Sequence, residues 1–373
     1  MDRSRLAPPG GALDDPAALF HFAGEPPVAG GGSEAAAAAR QTVAAVPEDA
    51  PQTRAAVEGL HVRGGAQPGE KVLITGIAGG QGRLIARRLR GTYAVTGVDR
   101  VPWEGHPPDV GVHVLDLRKR KMEDIFRTER PDAIVHHALI RHFDVDPRVR
   151  HEVNVLGTRR LLDFSAQHGV KRVVVMSSSY VYGALPDNPF YIDEEHPLNV
   201  SRTYPEVRDL AEVDSLATAF LWRHPEIATT ILRPVPILGY YVTTSIGRFL
   251  RQRYVPTILG FNPMMQFIHE EDVAEAVALA LEKGTHGVFN LVGPGAVPFH
   301  TAIRETGGVP IPVPEMLARP LFERLFELGF FPTPSGAIDF AKYPCTLDGT
   351  RFARATGFRP RFTLEDVFAS VRR

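Results

Sequence analysis

The stretch YPEVRDLAE, Tyr204 to Glu212, sets a phenol, a guanidinium and a carboxylate four residues apart. On one continuous helix these three side chains would share a face. A phenol beside a fixed cation is an acid–base device. A free tyrosine ionises near pH 10, so acting as a base near neutrality needs a shift of about three units, or ~4 kcal/mol. The same spacing also describes an ordinary solvated face, on which Arg208 and Glu212 form an ion pair contributing about 0.3–0.5 kcal/mol. Pro205 suits a first helical turn and restrains Tyr204 to an extended backbone. Three serines, Ser177 to Ser179, close the apolar run VKRVVVM. At the carboxyl end of a strand in a parallel sheet they face the ligand crevice, although serines there are also common turn formers.

KVLITGIAGGQGRLIARRL places Gly76, Gly79 and Gly82 directly after an apolar run and at the start of a helical pattern. Glycines permit a tight turn there and let backbone N–H groups approach a pyrophosphate, whose charge suits a helix N-terminus. Asp99 ends the next apolar run, roughly 20 residues on. A carboxylate there accepts hydrogen bonds from a ribose diol and repels a 2′-phosphate, which favours NAD. Arg100 beside it keeps NADP as the lesser alternative.

These groups need a scaffold, and the remaining pattern supplies one. Short apolar runs at Val72–Thr75, Tyr93–Val98, Val112–Leu115, Ala133–His136, Arg172–Met176, Thr229–Leu232 and Val288–Leu291 alternate with helical patterns. The helices are expected at Gln81–Leu89, Val149–His168, Pro205–Arg223 and Glu271–Glu282. Such alternation predicts an α/β fold, a doubly wound parallel sheet of Rossmann type. The expected organisation has three parts. Residues 1–69, rich in Ala, Gly and Pro, read as a disordered tail. Residues 70–235 plus 267–293 form the dinucleotide domain. Residues 236–266 plus 294–373, broken by prolines, form a small discontinuous substrate lobe.

The 373 residues carry a net charge of -1, which points to no polyanionic partner. A single cysteine, Cys345, rules out a disulfide framework and suggests a reducing, cytoplasmic setting. No run reaches the ~18 apolar residues a membrane span needs, and the N-terminus lacks the apolar core of a signal peptide. The basic run RKRK at 118–121 reads as a solvated helix start and not as a nucleic-acid site. His136, His137 and His142 lack zinc-ligand spacing, so no metal site is expected.

In order along the chain, the glycine loop, VDR at 98–100, LD at 115–116, PDAIVHHA at 131–138, NVLGT at 154–158, SSSYVYG at 177–183, LRP at 232–234 and FIHEEDVAEAVALAL at 267–281 resemble the extended short-chain dehydrogenase/reductases, in particular the NAD-dependent epimerase/dehydratase family. The resemblance runs from about residue 70 to the C-terminus. It implies that the backbones of Gly80 and Gln81 contact the pyrophosphate and that Asp99 holds the ribose. It implies that Asp116 and Leu117 border the adenine, that His137 and Ala138 line the inner cofactor wall, and that Asn154 lies beneath. Ser178 matches the family's catalytic Ser/Thr, with Ser179 as second choice. Tyr204 matches its catalytic tyrosine, and Arg208 occupies the lysine position. Val235 lies at the cofactor, where with Pro236 it replaces residues that are usually polar.

The resemblance implies an enzyme that passes a hydride between a substrate carbon and the nicotinamide, on a small-molecule substrate such as a sugar nucleotide or a related alcohol or ketone. Arg208 in place of lysine keeps open a catalytically weakened NAD-binding sensor or scaffold. The apolar residues Leu139, Val235, Pro236 and Met265 keep open a reductase of a lipophilic carbonyl. A homodimer is expected through the helices at 149–168 and 205–223. There Val155, Leu161, Leu162, Phe164, Leu216, Phe220 and Leu221 offer more apolar surface than one sheet face needs.

Overall fold

The computed structural model describes residues 69–372 except 144 and 330–332. Of the disordered tail expected over residues 1–69, residues 1–68 lie outside the described residues.

The runs rich in Val, Ile and Thr become seven strands: β1 Lys71–Thr75, β2 Ala94–Asp99, β3 Val110–Val114, β4 Ala133–His136, β5 Arg172–Met176, β6 Ala228–Pro234 and β7 Gly287–Leu291. They form one sheet in the order β7-β6-β5-β4-β1-β2-β3, with every adjacent pair parallel. Every residue of β4, β5 and β6 is buried, as strands covered on both faces require. Chain order reverses between β1 and β4, which opens a crevice at their carboxyl ends.

Helices α1 Gly80–Leu89, α2 Lys121–Glu129, α3 Pro147–His151, α4 Gly157–Gln167, α5 Arg208–Arg223 and α6 Glu270–Lys283 cover the sheet. Side chains alternate along a strand, so each strand feeds two cores. Val72, Ile74 and Val174 face α1 and α6. Leu73, Ile134, Val173 and Val175 face α2, α4 and α5. A third cluster gathers Leu238, Phe249, Phe267, Phe299, Phe322 and Val371 beyond the carboxyl ends of the strands. It is framed by short strand pairs, including Tyr254–Ile258 with Val309–Val313.

Two expected helices differ in ways that matter for the site. The pattern over 149–168 is not one α-helix: a π turn, Glu152–Leu156, separates α3 from α4. The pattern over 205–223 begins as a 3-10 turn at Pro205–Val207, and α5 starts only at Arg208. Tyr204 precedes both, outside the helical region at φ -137 and ψ 73. The apolar residues expected at a dimer contact are used within the chain. Val155, Leu161, Leu162, Phe220 and Leu221 are buried in the second core, and Phe164 and Leu216 pack against it. The surplus assumed from the sequence is consumed by the sheet, leaving Leu156 and Trp222 exposed on these helices.

Candidate functional site

The turn from β1 into α1 is built by glycine. Gly76 adopts φ +77, and a Cβ there would sit 3.0 Å from the Ala138 backbone. A Cβ on Gly82 would collide with the Gly76 carbonyl, so this residue lets α1 close onto the turn. Gly79 is the N-cap of α1, and no acidic side chain occupies the first turn. The helix N-terminus therefore faces the cleft with its amide dipole unopposed. Asp99, at the end of β2, accepts hydrogen bonds from Ala78 N–H at 3.0 Å and Val101 N–H at 3.3 Å. Arg100 beside it is exposed.

Asp116 is forked by Arg118, at 3.2 Å from Nε and 2.7 Å from Nη2 to the same oxygen, and Arg118 also reaches Glu152. This partner holds the Asp116 carboxyl below its ordinary range. Leu117 is buried next to it.

His137 borders the cleft. Burial, reinforced by the Arg141 charge, lowers its pKa to about 3, so the ring stays neutral. His137 Nδ1 and Gln81 Oε1 are buried without a partner, and both residues line the cleft. The π turn explains the placement of Asn154. Its side chain accepts from Ile140 N–H at 2.8 Å and donates to the Ile140 carbonyl at 2.9 Å. It thereby fixes the loop after β4 that carries Ala138 and Leu139. These features fit a dinucleotide: a glycine cradle, a helix N-terminus, an acid at the end of β2 and two orphaned polar atoms on the inner wall.

The three serines separate by role. Ser177 donates to Asp214 Oδ2 at 2.6 Å in the interior. Ser179 is buried, and its carbonyl accepts from the Cys345 thiol at 3.6 Å. Ser178 N-caps the following 3-10 turn by accepting from Tyr180 N–H at 3.3 Å, which leaves its own proton for the cleft it lines. Tyr204 also lines that cleft and is 3% exposed. Burial, with the neighbouring Tyr180 and Glu206, raises its pKa well above the ordinary value.

Arg208 does not stand at Tyr204. It is 63% exposed and lies 3.4 Å from Glu212 on the open side of α5. The expected shared face fails for Tyr204 because the 3-10 turn takes that residue off the helix. The cation that bears on Tyr204 is Arg150 of α3, itself paired with Asp209 at 3.3 Å.

Further residues shape the site that the sequence motifs did not single out. Arg141 enters the cleft from the loop after β4, and its position just past an apolar strand was the available signal. Tyr180 lines the cleft beside Ser178. The Glu270 carboxylate accepts the backbone N–H groups of Tyr240, Tyr241 and Val242 at 2.8, 3.0 and 2.7 Å. This latches segment 240–242 against the start of α1, where a Cβ on Gly80 would strike the Tyr241 carbonyl. The contact joins residues far apart in sequence, so no local pattern announces it. Val235 is buried at the cleft wall. The cavity measures about 460 Å³ and runs from Gly79–Gln81 past Ser178 and Tyr204 to Phe322 and Ile338. Among the described residues no cluster of His, Cys, Asp or Glu could hold a metal ion, and no helix is long and apolar enough to cross a membrane.

Known proteins share this architecture. An uncharacterized protein of Mycobacterium tuberculosis is 29% identical over 261 residues, 68% of each chain. A dTDP-glucose 4,6-dehydratase of Streptomyces venezuelae, solved with NAD bound, superposes with a TM-score of 0.65 at 22% identity, covering 81% of this chain and 95% of that one. A UDP-glucose 4-epimerase of Thermus thermophilus, solved with NAD, gives a TM-score of 0.64 at 23% identity, covering 81% and 97%. The family model for the NAD dependent epimerase/dehydratase family matches residues 72–292. With the glycine cradle, Asp99 and the Ser178–Tyr204 cleft in place on this sheet, the chain belongs to the NAD-dependent epimerase/dehydratase family.

Proposed function

We propose that the protein is an NAD(H)-linked oxidoreductase that interconverts a carbonyl and a hydroxyl on a substrate with a largely hydrocarbon body. The observation that carries this reading is the wall of the cleft beyond Ser178 and Tyr204. It is dominated by apolar residues such as Phe143, Val235, Phe249, Met265, Phe322 and Phe340, with Thr243, Thr244, Ser245 and Arg248 as a polar patch. A sugar ring placed against the apolar part would lose the water around its hydroxyls without gaining partners there. Bound across Gly79–Gln81 and Asp99, the dinucleotide would supply or accept the hydride.

The residues around it have separable tasks. Ser178 donates its hydroxyl proton to the substrate oxygen. Tyr204 stays protonated near neutrality and delivers its proton to the oxygen as hydride reaches the carbon, which suits the reductive direction. The phenolate left behind is opposed by Arg150, and it regains a proton from solvent. Asn154 and His137 keep the inner wall rigid and uncharged.

A sugar-nucleotide substrate is the second reading. The names of the solved neighbours favour it. NADH consumption with aliphatic ketones, set against product analysis by NMR on a matched panel of dTDP- and UDP-sugars, separates the two, because epimerisation or dehydration returns the hydride and consumes no NADH. Turnover confined to the sugar nucleotides would overturn the proposal. No turnover with either panel would favour the cofactor-binding protein without chemistry. A cytoplasmic location and a symmetric dimer are also proposed. They are supported by the lone cysteine and by exposed Leu156 and Trp222, and light scattering over a concentration series tests the dimer.

A further inference from the structure

The cleft contains a cation, Arg141, that no carboxylate neutralises among the described residues. Arg141 Nη2 donates to the Met176 carbonyl at 2.9 Å and the Ser177 carbonyl at 3.2 Å. Both acceptors are neutral, and both lead directly into Ser178. Among the described residues no aspartate or glutamate pairs with Arg141, and none lines the cleft. Arg248, exposed on another part of the lining, adds a second positive charge. His137 is neutral, and Ser178 and Tyr204 contribute only hydroxyls. Burial draws the Arg141 pKa down to about 10, which still leaves the guanidinium charged at neutral pH.

A desolvated charge without a counter-ion is costly. A guanidinium carries five donors in a planar fork, and among the described residues Nε and Nη1 make no hydrogen bond. That fork matches the two oxygens of a carboxylate. The part of the wall formed by Phe249, Phe322 and Phe340 is apolar and accommodates a hydrocarbon chain. Because Arg141 grips the carbonyls adjoining Ser178, the acid group and the reacting carbon must be close neighbours in the substrate.

Resting on the oxidoreductase reading above, we propose that Arg141 is a specificity residue that binds the carboxylate of an amphipathic oxo or hydroxy acid. Its hydrocarbon body lies along Phe249, Phe322 and Phe340. In the reductive direction the carbonyl carbon gains hydride from NADH, the oxygen gains the Tyr204 proton, and the carboxylate stays intact on Arg141. The products are the hydroxy acid and NAD.

The test compares 2-oxooctanoate with 2-octanone, which lacks the acid group, on the full chain. Binding is measured by calorimetry on the NAD-loaded protein, where no reduction can occur. The acid should bind at least tenfold more tightly than the ketone. Arg141→Gln should remove that preference while changing 2-octanone affinity less than twofold, and Arg141→Lys should restore part of it. A role limited to tying the loop to β5 would instead weaken both ligands together and lower the thermal midpoint. Equal binding of acid and ketone to the wild type, or equal loss of both in Arg141→Gln, overturns the proposal. NADH turnover separates this from the broader reading. Reduction of both compounds with equal efficiency keeps the oxidoreductase and removes the carboxylate site. Selective binding of the acid with no reduction of either keeps the carboxylate site and removes the oxidoreductase.

Discussion

Asp214 and Arg233 form a forked pair, 2.6 and 2.9 Å between their atoms, at a position where the carboxylate has no exposed surface. Ser177 shares the same carboxylate, while Arg233 extends to the Tyr182 hydroxyl at 2.8 Å and the Glu194 carbonyl at 3.0 Å. Tyr182 in turn donates to Asn290 at 2.7 Å. The network locks the end of β5 to α5, β6 and β7, and Ser178 is the next residue out. Asp214→Ala would leave a buried guanidinium uncompensated. Such losses run to about 3–5 kcal/mol, so urea unfolding should show destabilisation of that order. A change under about 1 kcal/mol would mean that Arg233 is satisfied without Asp214.

Arg208 is mostly exposed and, among the described residues, paired only with Glu212. Arg208→Ala should change stability by no more than ~0.5 kcal/mol and leave turnover within about twofold. Arg150→Ala, which removes the cation facing Tyr204, should lower turnover and raise the pH at which Tyr204 ionises. Abolished turnover in Arg208→Ala would show that the cation used in catalysis comes from α5 after all.

Tyr204→Phe removes a hydroxyl that lines the cleft. Loss of a positioned proton donor typically costs 10²–10⁴-fold in rate. NADH turnover should fall by at least 10²-fold with NAD affinity unchanged. Retained turnover would assign the proton to Tyr180, which borders the same cleft.

Gly80→Ala forces segment 240–242 away from α1, because the added methyl strikes the Tyr241 carbonyl. Glu270 holds that segment by three amides, so it cannot move freely. NAD affinity should drop at least tenfold, or about 1.4 kcal/mol, in fluorescence titration. Unchanged affinity would show that the segment plays no part in cofactor binding.

Glu194 adds a pH-dependent contribution to stability. Burial raises its pKa from 4.5 to about 7, against the opposing pull of Arg351 and the Asn290 N–H. Between these values the folded chain holds a proton that the unfolded chain has released. The resulting stabilisation is present below about pH 4.5 and is lost as pH rises toward 7. At 1.36 kcal/mol per unit the loss is on the order of 3 kcal/mol. Glu194→Gln keeps an acceptor for Asn290 and should melt at higher temperature than wild type at pH 8, with the advantage vanishing at pH 5. A constant difference across that range would refute the shift.

The sequence by itself determined the sheet and the cofactor cradle. Each strand is a local run of Val, Ile and Thr, and the Gly76–Gly79–Gly82 turn and Asp99 are set by backbone geometry and by distance along one βαβ unit. The positions of Asp116, His137 and Ser178 at the cleft end of the sheet were likewise legible because each follows the end of a strand. What only the tertiary structure decided is what stands across the cleft from these residues. Tyr204 and Arg208 have helical spacing, yet a 3-10 turn at Pro205 separates them, and Tyr204 is buried among Phe143, Phe340 and Tyr180 from other segments. The partner of Arg233, the grip of Glu270 on residues 240–242 and the contacts of Arg141 depend on chain segments 19 to 36 residues apart. Local propensity carries no information about which of these segments will meet, because burial and charge pairing are settled only when the sheet brings their ends together.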